Sequence, residues 1–300
     1  MKILSLFDGI SIAQQAFKEL GFEVEYYASE IDKYAIQITK KNHPNTEQLG
    51  DIKDIDCTGG LLHYGKGRLA ETDIYFLIGG SPCQDLSIAK KNREGLNGKR
   101  SGLFWEYVRI LKELKPKYFI LENVASMPKE AKQTITETLW DIEPVMINAS
   151  LVSAQNRKRL FWVGKLADKR HIGHWDSADY EKVNISQPHD EGILLKDILE
   201  DNANESYSVY NTWGVASRTR NGKKQIEHNG LEKANAMTSV QTDSMVDVGN
   251  VIRKLTPIEC ERLQSLPDNY TEGISNTQRY KTLGNGFNCA VIKHIIKSIL

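Results

Sequence analysis

Cysteine, long apolar runs and an excess of charge of either sign are scarce or missing in this chain. Its 300 residues contain four cysteines, none in a Cys-x-x-Cys pair and none beside a histidine cluster at zinc-ligand spacing. We therefore expect neither a disulfide framework nor a bound metal. The 39 basic and 39 acidic residues cancel. The total charge thus gives no indication of nucleic acid, although it leaves room for local basic patches.

The apolar runs are too short for a membrane protein. The longest, at 74–78 and 160–163, fall far below the ~20 residues that span a bilayer. At the N-terminus, Asp8 interrupts an apolar stretch that is already too short for a secretory signal. With 40% hydrophobic and 26% charged residues, the composition is that of a globular protein rather than a disordered or fibrous one. We expect a soluble, cytoplasmic protein with no membrane partner.

Strand-like and helix-like segments alternate through the first half of the chain. This alternation is typical of an α/β fold, here a doubly wound, mostly parallel sheet with helices on both faces. In open sheets of this kind, ligands bind outside the carboxyl ends of the strands. Apolar runs predict strands at 2–7, 24–29, 74–78, 118–121, 144–151 and 160–164, and helical spacing predicts helices at 11–20, 32–41 and 102–114.

The composition changes after residue 166. Residues 168–250 hold fourteen acidic and nine basic residues, are rich in Asn, Ser, Asp and Gly, and show weak periodicity. Helical patterning returns at 256–266, where Thr256 is a candidate N-cap followed by proline and, three residues on, by a glutamate. We predict a large α/β domain at 1–166, a small irregular domain at 167–251, and a return to the first domain at 252–300.

The first predicted strand ends in a turn that suits a nucleotide-like ligand. Phe7-Asp8-Gly9-Ile10-Ser11 joins this strand to a helix, so a ligand can pack against the helix N-terminus. Glu30 ends the second strand, where an acidic side chain can hold ribose hydroxyls. Only one of the glycines usual in such a turn is present, so an ordinary strand-to-helix turn is the alternative.

A cysteine follows the third predicted strand. In Gly79-Gly80-Ser81-Pro82-Cys83-Gln84, the glycines allow a ligand close to the backbone and the proline stiffens the turn. The next segment, 87–102, carries five basic residues against Glu94 alone. A basic loop beside a thiol suits a polyanionic substrate. The alternatives are a small buried hydrophobic residue for Cys83 and a solvated charge run for the loop.

An acidic residue ends the neighbouring predicted strand, in Leu121-Glu122-Asn123-Val124. Carboxylates are rare in such positions unless they are paired or functional. Glu122 could donate a proton to a ring nitrogen of a substrate, or share one with it. The alternative reading is a helix N-cap at Asn123.

These segments, in this order, resemble the motifs of the DNA (cytosine-5-)-methyltransferase family, in its stand-alone bacterial or phage form. The resemblance covers the chain except about 168–250, where the family carries its target-recognition region. Two departures are Ser11, where many members have glycine, and Gly284-Asn285-Gly286-Phe287-Asn288 in place of the commoner Gly-Asn-Ala/Ser. We expect neither departure to affect the chemistry. The matching motifs are Phe7-Asp8-Gly9, Gly79-Gly80-Ser81-Pro82-Cys83-Gln84, Glu122-Asn123-Val124, Gln155-Asn156-Arg157-Lys158-Arg159, Arg253-Lys254-Leu255-Thr256-Pro257 with Leu266-Pro267, and Leu283-Gly284-Asn285-Gly286.

The resemblance implies a reaction and its catalytic residues. In the family, a cysteine thiolate adds to carbon 6 of a flipped-out cytosine so that carbon 5 can accept a methyl group. Cys83 would be this nucleophile, and Asn123 would orient its turn. Glu122 would hydrogen-bond or protonate ring nitrogen N3, while Arg157 and Arg159 would bracket the base at its O2.

The resemblance also implies a cofactor and a partner. The cofactor is S-adenosyl-L-methionine, with S-adenosyl-L-homocysteine as product and with no metal. The partner is double-stranded DNA, read by a monomer. A companion restriction endonuclease encoded nearby is one expectation, and an orphan or phage enzyme without such a companion is the alternative. The expected cofactor residues are Phe7, Gly9, Ile10, Ser11, Glu30, Ile31, Asp51, Ile52, Pro82, Leu103 and Asn285. The expected DNA-binding residues are Ser87, Lys90, Lys91, Arg93, Arg100, Arg218, Arg220, Lys223 and Lys224.

Two alternatives remain open at this point. A tRNA cytosine-5 methyltransferase of the same family would share the catalytic residues. A catalytically inert DNA-binding relative would share the scaffold, although the intact Cys83, Glu122, Arg157 and Arg159 count against it. The sequence does not indicate which DNA sequence is the target.

Overall fold

A computed structural model gives the fold of the chain. It describes residues 1–57, 61–64, 68–71, 73–81, 102–167, 180–200, 212–220, 223–240, 242, 244–249 and 251–300. The helices are α1 (Ile12–Glu19), α2 (Lys33–Asn42), α3 (Leu103–Leu114), α4 (Lys129–Thr138), α5 (Pro257–Leu263), α6 (Asn276–Asn285) and α7 (Cys289–Ile299). The strands are β1 (Lys2–Leu6), β2 (Glu25–Ser29), β3 (Glu47–Gln48), β4 (Leu61–Tyr64), β5 (Arg68–Glu71), β6 (Ile74–Gly80), β7 (Tyr118–Val124), β8 (Val145–Asn148), β9 (Gln155–Asn156), β10 (Lys158–Leu166), β11 (Tyr180–Lys182), β12 (Thr212–Arg220), β13 (Lys223–His228), β14 (Ala234–Asn235), β15 (Met245–Val248) and β16 (Val251–Lys254).

A mixed sheet of eight strands lies at the centre of the molecule. Its order is β11-β10-β7-β6-β1-β2-β3, and β8 also pairs with β10. The pairs from β7 through β3 are parallel, whereas β10 runs antiparallel to its three partners. The predicted α/β fold with a mostly parallel sheet is confirmed. The strand expected at 118–121 continues to Val124, so Glu122 and Asn123 lie within it.

Apolar side chains form a core on each face of this sheet. Ile3 and Leu4 are neighbours on β1 but belong to different core clusters, and Ile120 and Leu121 on β7 divide in the same way. Neighbouring residues of a strand point to opposite faces, so a continuous apolar run is buried on both sides. Residues of α1 and α7 cover one face, and residues of α3 and α4 cover the other.

The region at 167–251, predicted to be irregular, contains regular strands. Strands β13-β12-β15-β16 form a four-stranded antiparallel sheet, and β14 pairs with β9 of the large domain. On β12, Gly214 to Ser217 are buried in succession, while Trp213 is 37% exposed. This pattern has no clean period of two, which explains why periodicity gave no signal for these strands. The predicted boundary at 251/252 falls inside β16.

The C-terminal segment returns to the large domain and carries three helices. The predicted capping box is present at α5, where Thr256 accepts from the Glu259 amide at 3.2 Å and Glu259 accepts from the Thr256 amide at 2.8 Å. The helix expected over 256–266 ends at Leu263. Helix α7 packs against α1. Among the helices of the described ranges, none is long and apolar enough to span a membrane.

Candidate active site

The carboxyl ends of neighbouring strands bring the predicted site residues to one edge of the sheet. Leu6, at the end of β1, is the register partner of Ser29 on β2 and of Gly79 on β6. On the next strand, Glu122 is the register partner of Gly80. The turn after β1, the acid after β2 and Glu122 therefore share the edge where open α/β sheets bind ligands.

The turn after β1 is held in an unusual conformation by Glu30. Phe7, Gly9 and Ser11 have positive φ angles of 57°, 62° and 55°. The amide of Gly9 donates to Oε2 of Glu30 at 2.8 Å, and the two amides that follow Glu30 donate to its Oε1 at 2.7 and 2.8 Å. A Cβ atom placed on Gly9 would have no described atom within 4 Å. Glu30 thus fixes the main chain of the turn, and the space beside the Gly9 Cα atom has room for a ligand.

A buried carboxyl group lies beneath this turn. Asp8 accepts hydrogen bonds from the Ser11 hydroxyl and from the Tyr26 hydroxyl, the latter at 2.8 Å. The Ser11 hydroxyl also bonds to that of Thr39 at 2.9 Å. Burial raises the pKa of Asp8 to about 6, against the lowering effect of its hydrogen bonds. Because its side chain is buried in this network, Ser11 would line a cofactor site with its main chain, and its expected place in that site stays a prediction.

The other expected cofactor residues divide by exposure. The side chains of Ile10 and Ile52 are buried in the core, so they too could meet a ligand only through their main chains. Asp51 caps a short turn by accepting from the Lys53 amide at 3.1 Å. Ile31 is 71% exposed. Leu103 is the first residue of α3, and Asn285 is the last residue of α6.

The two glycines at the end of β6 are explained by contacts within the protein. A Cβ atom on Gly79 would lie 3.0 Å from the ring of Tyr107 and 3.1 Å from the Leu6 carbonyl oxygen. A Cβ atom on Gly80 would lie 3.0 Å from Oε2 of Glu122 and 3.0 Å from the ring of Phe287. Protein side chains thus fill the space that a Cβ atom would need at both positions, and the expectation that these glycines admit a ligand to the main chain stays a prediction.

Glu122 forms an ion pair with Arg159. The guanidinium Nε lies 2.8 Å from the Glu122 Oε1, and the two side chains are 17% and 13% exposed. The pair arises because β10 runs antiparallel to β7, with Phe161 opposite Glu122 and Arg159 opposite Val124. Both charged side chains line a small pocket, whose other lining residues are Ile147, Ala149, Arg157, Phe161, Phe287, Asn288 and Val291.

Arg157 has different contacts from those expected. It is 3% exposed, and its guanidinium donates to main-chain carbonyls of Met237 at 2.8 Å, Gly286 at 2.8 Å and Gly284 at 3.2 Å. Met237 belongs to the inserted region (167–251), Gly284 to the last turn of α6, and Gly286 is the C-cap residue of that helix. The guanidinium therefore ties two chain segments together, and the expectation that it brackets a base together with Arg159 stays a prediction.

Asn123 reaches toward the cysteine motif. Its amide nitrogen donates to the Ser81 hydroxyl at 3.1 Å, and its own oxygen accepts from the Val124 amide at 2.8 Å. Ser81 is the last described residue before the motif continues, and Pro82, Cys83 and the expected contacts Ser87, Lys90, Lys91, Arg93 and Arg100 lie outside the described residues.

The three remaining cysteines are poor candidates for a nucleophile. Cys57, Cys260 and Cys289 are all buried. Burial raises the pKa of Cys57 and of Cys289 to about 12, and it raises the pKa of Cys260 as well. A thiol with a raised pKa carries almost no thiolate near neutral pH.

The basic cluster of the inserted region lies on the hairpin of β12 and β13. Arg218 is exposed and pairs with Glu227 at 3.2 Å. In the register of the hairpin, Arg220 is opposite Lys223, and Lys224 is opposite Thr219. The hairpin thus gathers the four bases at one end of the small sheet.

Sequence reasoning missed three residues around the site. Asp8 stood inside a recognised motif, but only the fold shows that it is buried. Tyr270 donates to the Ile10 carbonyl at 2.8 Å from 260 residues away in the chain, and no pattern in the sequence indicates this contact. Phe287 was visible as a departure in the last motif, and its ring lies beside Gly80 and Glu122.

Comparison with known proteins agrees with this geometry. The family model described as C-5 cytosine-specific DNA methylase matches residues 1–300. The type II methyltransferase M1.ScrFI of Lactococcus lactis subsp. cremoris is 30% identical over 323 aligned residues, which cover 100% of this chain and 78% of that protein. The orphan methyltransferase M.SPRI of Bacillus phage SPR is 26% identical over 440 aligned residues, covering 100% of this chain and 97% of that one.

Solved structures show the same fold. A DNMT2 structure from Spodoptera frugiperda aligns with a TM-score of 0.64 and 19% identity, covering 99% of both chains. The methyltransferase EhMeth of Entamoeba histolytica aligns with a TM-score of 0.63 and 16% identity, covering 100% of this chain and 97% of that one. Identities this low carry the fold alone. The family match, in contrast, spans every residue, and the chain therefore belongs to the C-5 cytosine-specific DNA methylase family.

Proposed function

We propose that the chain transfers a methyl group to carbon 5 of a flipped-out cytosine within a specific sequence of duplex DNA, through a covalent bond between Cys83 and carbon 6. The observation that carries this proposal is the Glu122–Arg159 pair beside Gly80, three residues before Cys83. A carboxyl group that can meet a ring nitrogen stands next to a guanidinium that can donate to a carbonyl oxygen. These two groups match the N3 and O2 atoms of cytosine.

The proposed steps follow from the low reactivity of cytosine carbon 5. The Cys83 thiolate adds to carbon 6, and the electron pair moves to carbon 5 and into the ring. Glu122 donates a proton or hydrogen bond at N3, and Arg159 donates at O2, so both stabilise the charge that develops. Carbon 5 would then take the methyl group of S-adenosylmethionine as its methyl–sulfur bond breaks and S-adenosylhomocysteine leaves. Loss of the carbon 5 proton then expels the thiolate and restores the aromatic ring.

S-adenosylmethionine supplies the methyl group, and the turn after β1 suits it. The Glu30 carboxylate accepts three main-chain hydrogen bonds, whereas a carboxylate offers about four lone-pair sites, so it retains capacity for a ribose hydroxyl. The space in front of Gly9 would admit the ligand beside the main chain. We propose that Asp51 binds the adenine amino group, and that Phe7, Ile31, Pro82, Leu103 and Asn285 complete the site.

Sequence choice belongs, in this proposal, to the inserted region. Arginine can donate twice to guanine in the major groove, a contact worth about 1–3 kcal/mol of discrimination, whereas lysine on phosphate adds affinity without choice. Arg218→Ala or Arg220→Ala should relax or shift the methylated sequence, and Lys223→Ala or Lys224→Ala should mainly weaken binding. Profiling methylated sites on random duplex DNA tests this. An unchanged site pattern and affinity in all four variants would place the reading residues elsewhere in the insertion.

The relatives named above are called type II and orphan methyltransferases. We accordingly propose that this chain acts as a monomer, either with a companion endonuclease or as an orphan enzyme. An assay with labelled S-adenosylmethionine on duplex DNA and on tRNA tests the function directly. Formation of 5-methylcytosine in duplex DNA is the expected result. Transfer to tRNA alone would favour the RNA-modifying alternative, and transfer to neither substrate would favour the inert one.

A further inference from the structure

Phe287 occupies a place next to the proposed reaction site that its position in the chain does not suggest. It stands in the three-residue link between α6 and α7, where the sequence departs from the commoner form of the motif. Its side chain is 9% exposed. The ring lies 3.0 Å from where a Cβ atom on Gly80 would stand, and Oε2 of Glu122 lies at the same distance from that point. The ring and the carboxylate therefore flank the same main-chain atom.

The link that carries Phe287 is fixed on both sides. The Gly286 carbonyl accepts from Arg157 at 2.8 Å, and the Leu283 carbonyl accepts from Gln264 at 2.7 Å. After the link, the Cys289 amide donates to the Gln264 carbonyl at 2.9 Å. A Cβ atom on Gly286 would stand 2.6 Å from Ile12 Cδ1, so the link also rests against α1. The ring has a defined position because its main chain is anchored.

Glu122 is held from two directions in this arrangement. Arg159 binds its Oε1 at 2.8 Å, while its Oε2 lies beside Gly80 on the side where the ring packs. The same small pocket is lined by Glu122, Arg159 and Phe287. A glutamate side chain has several staggered conformers, and an ion pair on one oxygen does not select among them all. An apolar ring that fills the neighbouring space removes the conformers that would enter it.

We infer that Phe287 is a positioning residue for Glu122, and that Gly80 and Phe287 form a matched pair in which the missing Cβ makes room for the ring. The inference rests on the proposed function, because it assigns a role toward the carboxyl group that would meet cytosine N3. It predicts that the rate of the chemical step depends on the volume shared by residues 80 and 287. Cofactor affinity should depend on that volume far less.

The test uses the full-length protein and three variants: Phe287→Leu, Gly80→Ala and the double variant. Each single change should lower kcat for 5-methylcytosine formation by about 10- to 100-fold, the scale expected when a reacting group is displaced by about 1 Å. The dissociation constant of S-adenosylmethionine should stay within about threefold of the wild-type value. The double variant should be faster than Gly80→Ala, since leucine gives the added Cβ atom room on the side of the ring and so relieves its contact with Glu122 Oε2.

The matched control is Phe76→Leu. Phe76 is 0% exposed, lies on the same strand as Gly80 and belongs to the same core cluster as Phe287, but it packs against Phe17 and Tyr118. It should lower the melting temperature while kcat stays within about threefold of wild type. If Phe287→Leu does not fold, Phe287→Met carries the test, because the longer, flexible methionine fills more of the core than leucine but does not restrict the Glu122 conformers as a ring does, so kcat should again fall.

Two results would overturn the inference. If Phe287→Leu and Phe76→Leu lower stability alike and both keep the wild-type kcat, Phe287 is a core residue only. If the double variant is no faster than Gly80→Ala, the two residues are not a matched pair. Absence of methyl transfer by the wild-type protein would instead refute the proposed function, and the inference with it.

Discussion

Two arginines separated by one residue should respond very differently to the same substitution. Arg157 donates to three main-chain carbonyls, at 2.8, 2.8 and 3.2 Å, and is buried. Arg159 binds the Glu122 carboxylate at 2.8 Å and the Lys158 carbonyl at 2.9 Å, at the edge of the pocket. Replacing each by lysine keeps the charge but removes the planar group with five donors. The comparison therefore separates anchoring of the chain from chemistry.

The magnitudes follow from the number of hydrogen bonds lost. A hydrogen bond from a charged group contributes about 1.5–3 kcal/mol, and a lysine ammonium cannot span all three carbonyls that Arg157 holds. Arg157→Lys should therefore lower the free energy of unfolding by about 2–4 kcal/mol, or the melting temperature by roughly 4–8 °C. Arg159→Lys retains its ion pair with Glu122, so its stability should change by about 1 kcal/mol or less.

For activity, Arg159→Lys should have the larger effect and Arg157→Lys the smaller one, which is the reverse of their order for stability. Arg159→Lys should lower kcat by about 10- to 100-fold, because the donor that faces the base is displaced. Arg157→Lys, assayed well below its melting temperature, should lose less. Urea unfolding and steady-state kinetics on one set of preparations measure both quantities. An Arg157→Lys variant with unchanged stability and a collapsed kcat would refute the anchoring role and restore that of a base-binding residue.

Three further predictions concern single side chains. Replacing Cys57, Cys260 or Cys289 by serine should leave the rate of methyl transfer within about threefold of wild type, because burial raises the pKa of all three thiols. A variant that loses activity while its stability is unchanged would contradict this. Glu30→Ala should weaken S-adenosylmethionine binding by roughly 1–3 kcal/mol in calorimetry while DNA affinity is unchanged, and an unaltered cofactor affinity would count against the β1 turn as its site. Burial raises the pKa of Asp8 to about 6, so the native state holds this proton more tightly than the unfolded state. The contribution of Asp8 to stability should then fall as pH rises from about 4 through 6, and Asp8→Asn should gain stability relative to wild type across that window in urea unfolding. Burial lowers the pKa of His43 to about 4, so the contribution of His43 to stability rises with pH over the same window. Wild type and Asp8→Asn both contain His43, so its effect cancels when their free energies of unfolding are subtracted.

The sequence was sufficient for the parts of the site that depend on local pattern. Glu30 could be placed at a strand end, and Glu122 in the last part of its strand, because buried parallel strands are short apolar runs. Helix α5 could be located from its capping box, since that signal lies within four residues. The resemblance then supplied roles for residues that pattern alone left open.

Other parts depend on contacts between distant segments. The three carbonyl partners of Arg157 lie 80, 127 and 129 residues away, so no local pattern could distinguish its role from that of Arg159. Helix α6 escaped prediction because its sequence is polar and contains Gly284, where a Cβ atom would stand 2.2 Å from the Thr238 carbonyl oxygen. Helix α4 buries only three of its ten residues, which leaves a weak apolar stripe.

The central claim is that Cys83 bonds covalently to the target cytosine. Duplex DNA containing 5-fluorocytosine tests it most directly, because fluorine cannot leave carbon 5 as a proton does and the adduct persists. With S-adenosylmethionine present, intact-protein mass spectrometry should show one protein–DNA adduct for wild type and for Cys289→Ser, and none for Cys83→Ser. A Cys83→Ser protein that still forms the adduct, or that still methylates ordinary duplex DNA at the wild-type rate, would contradict the account.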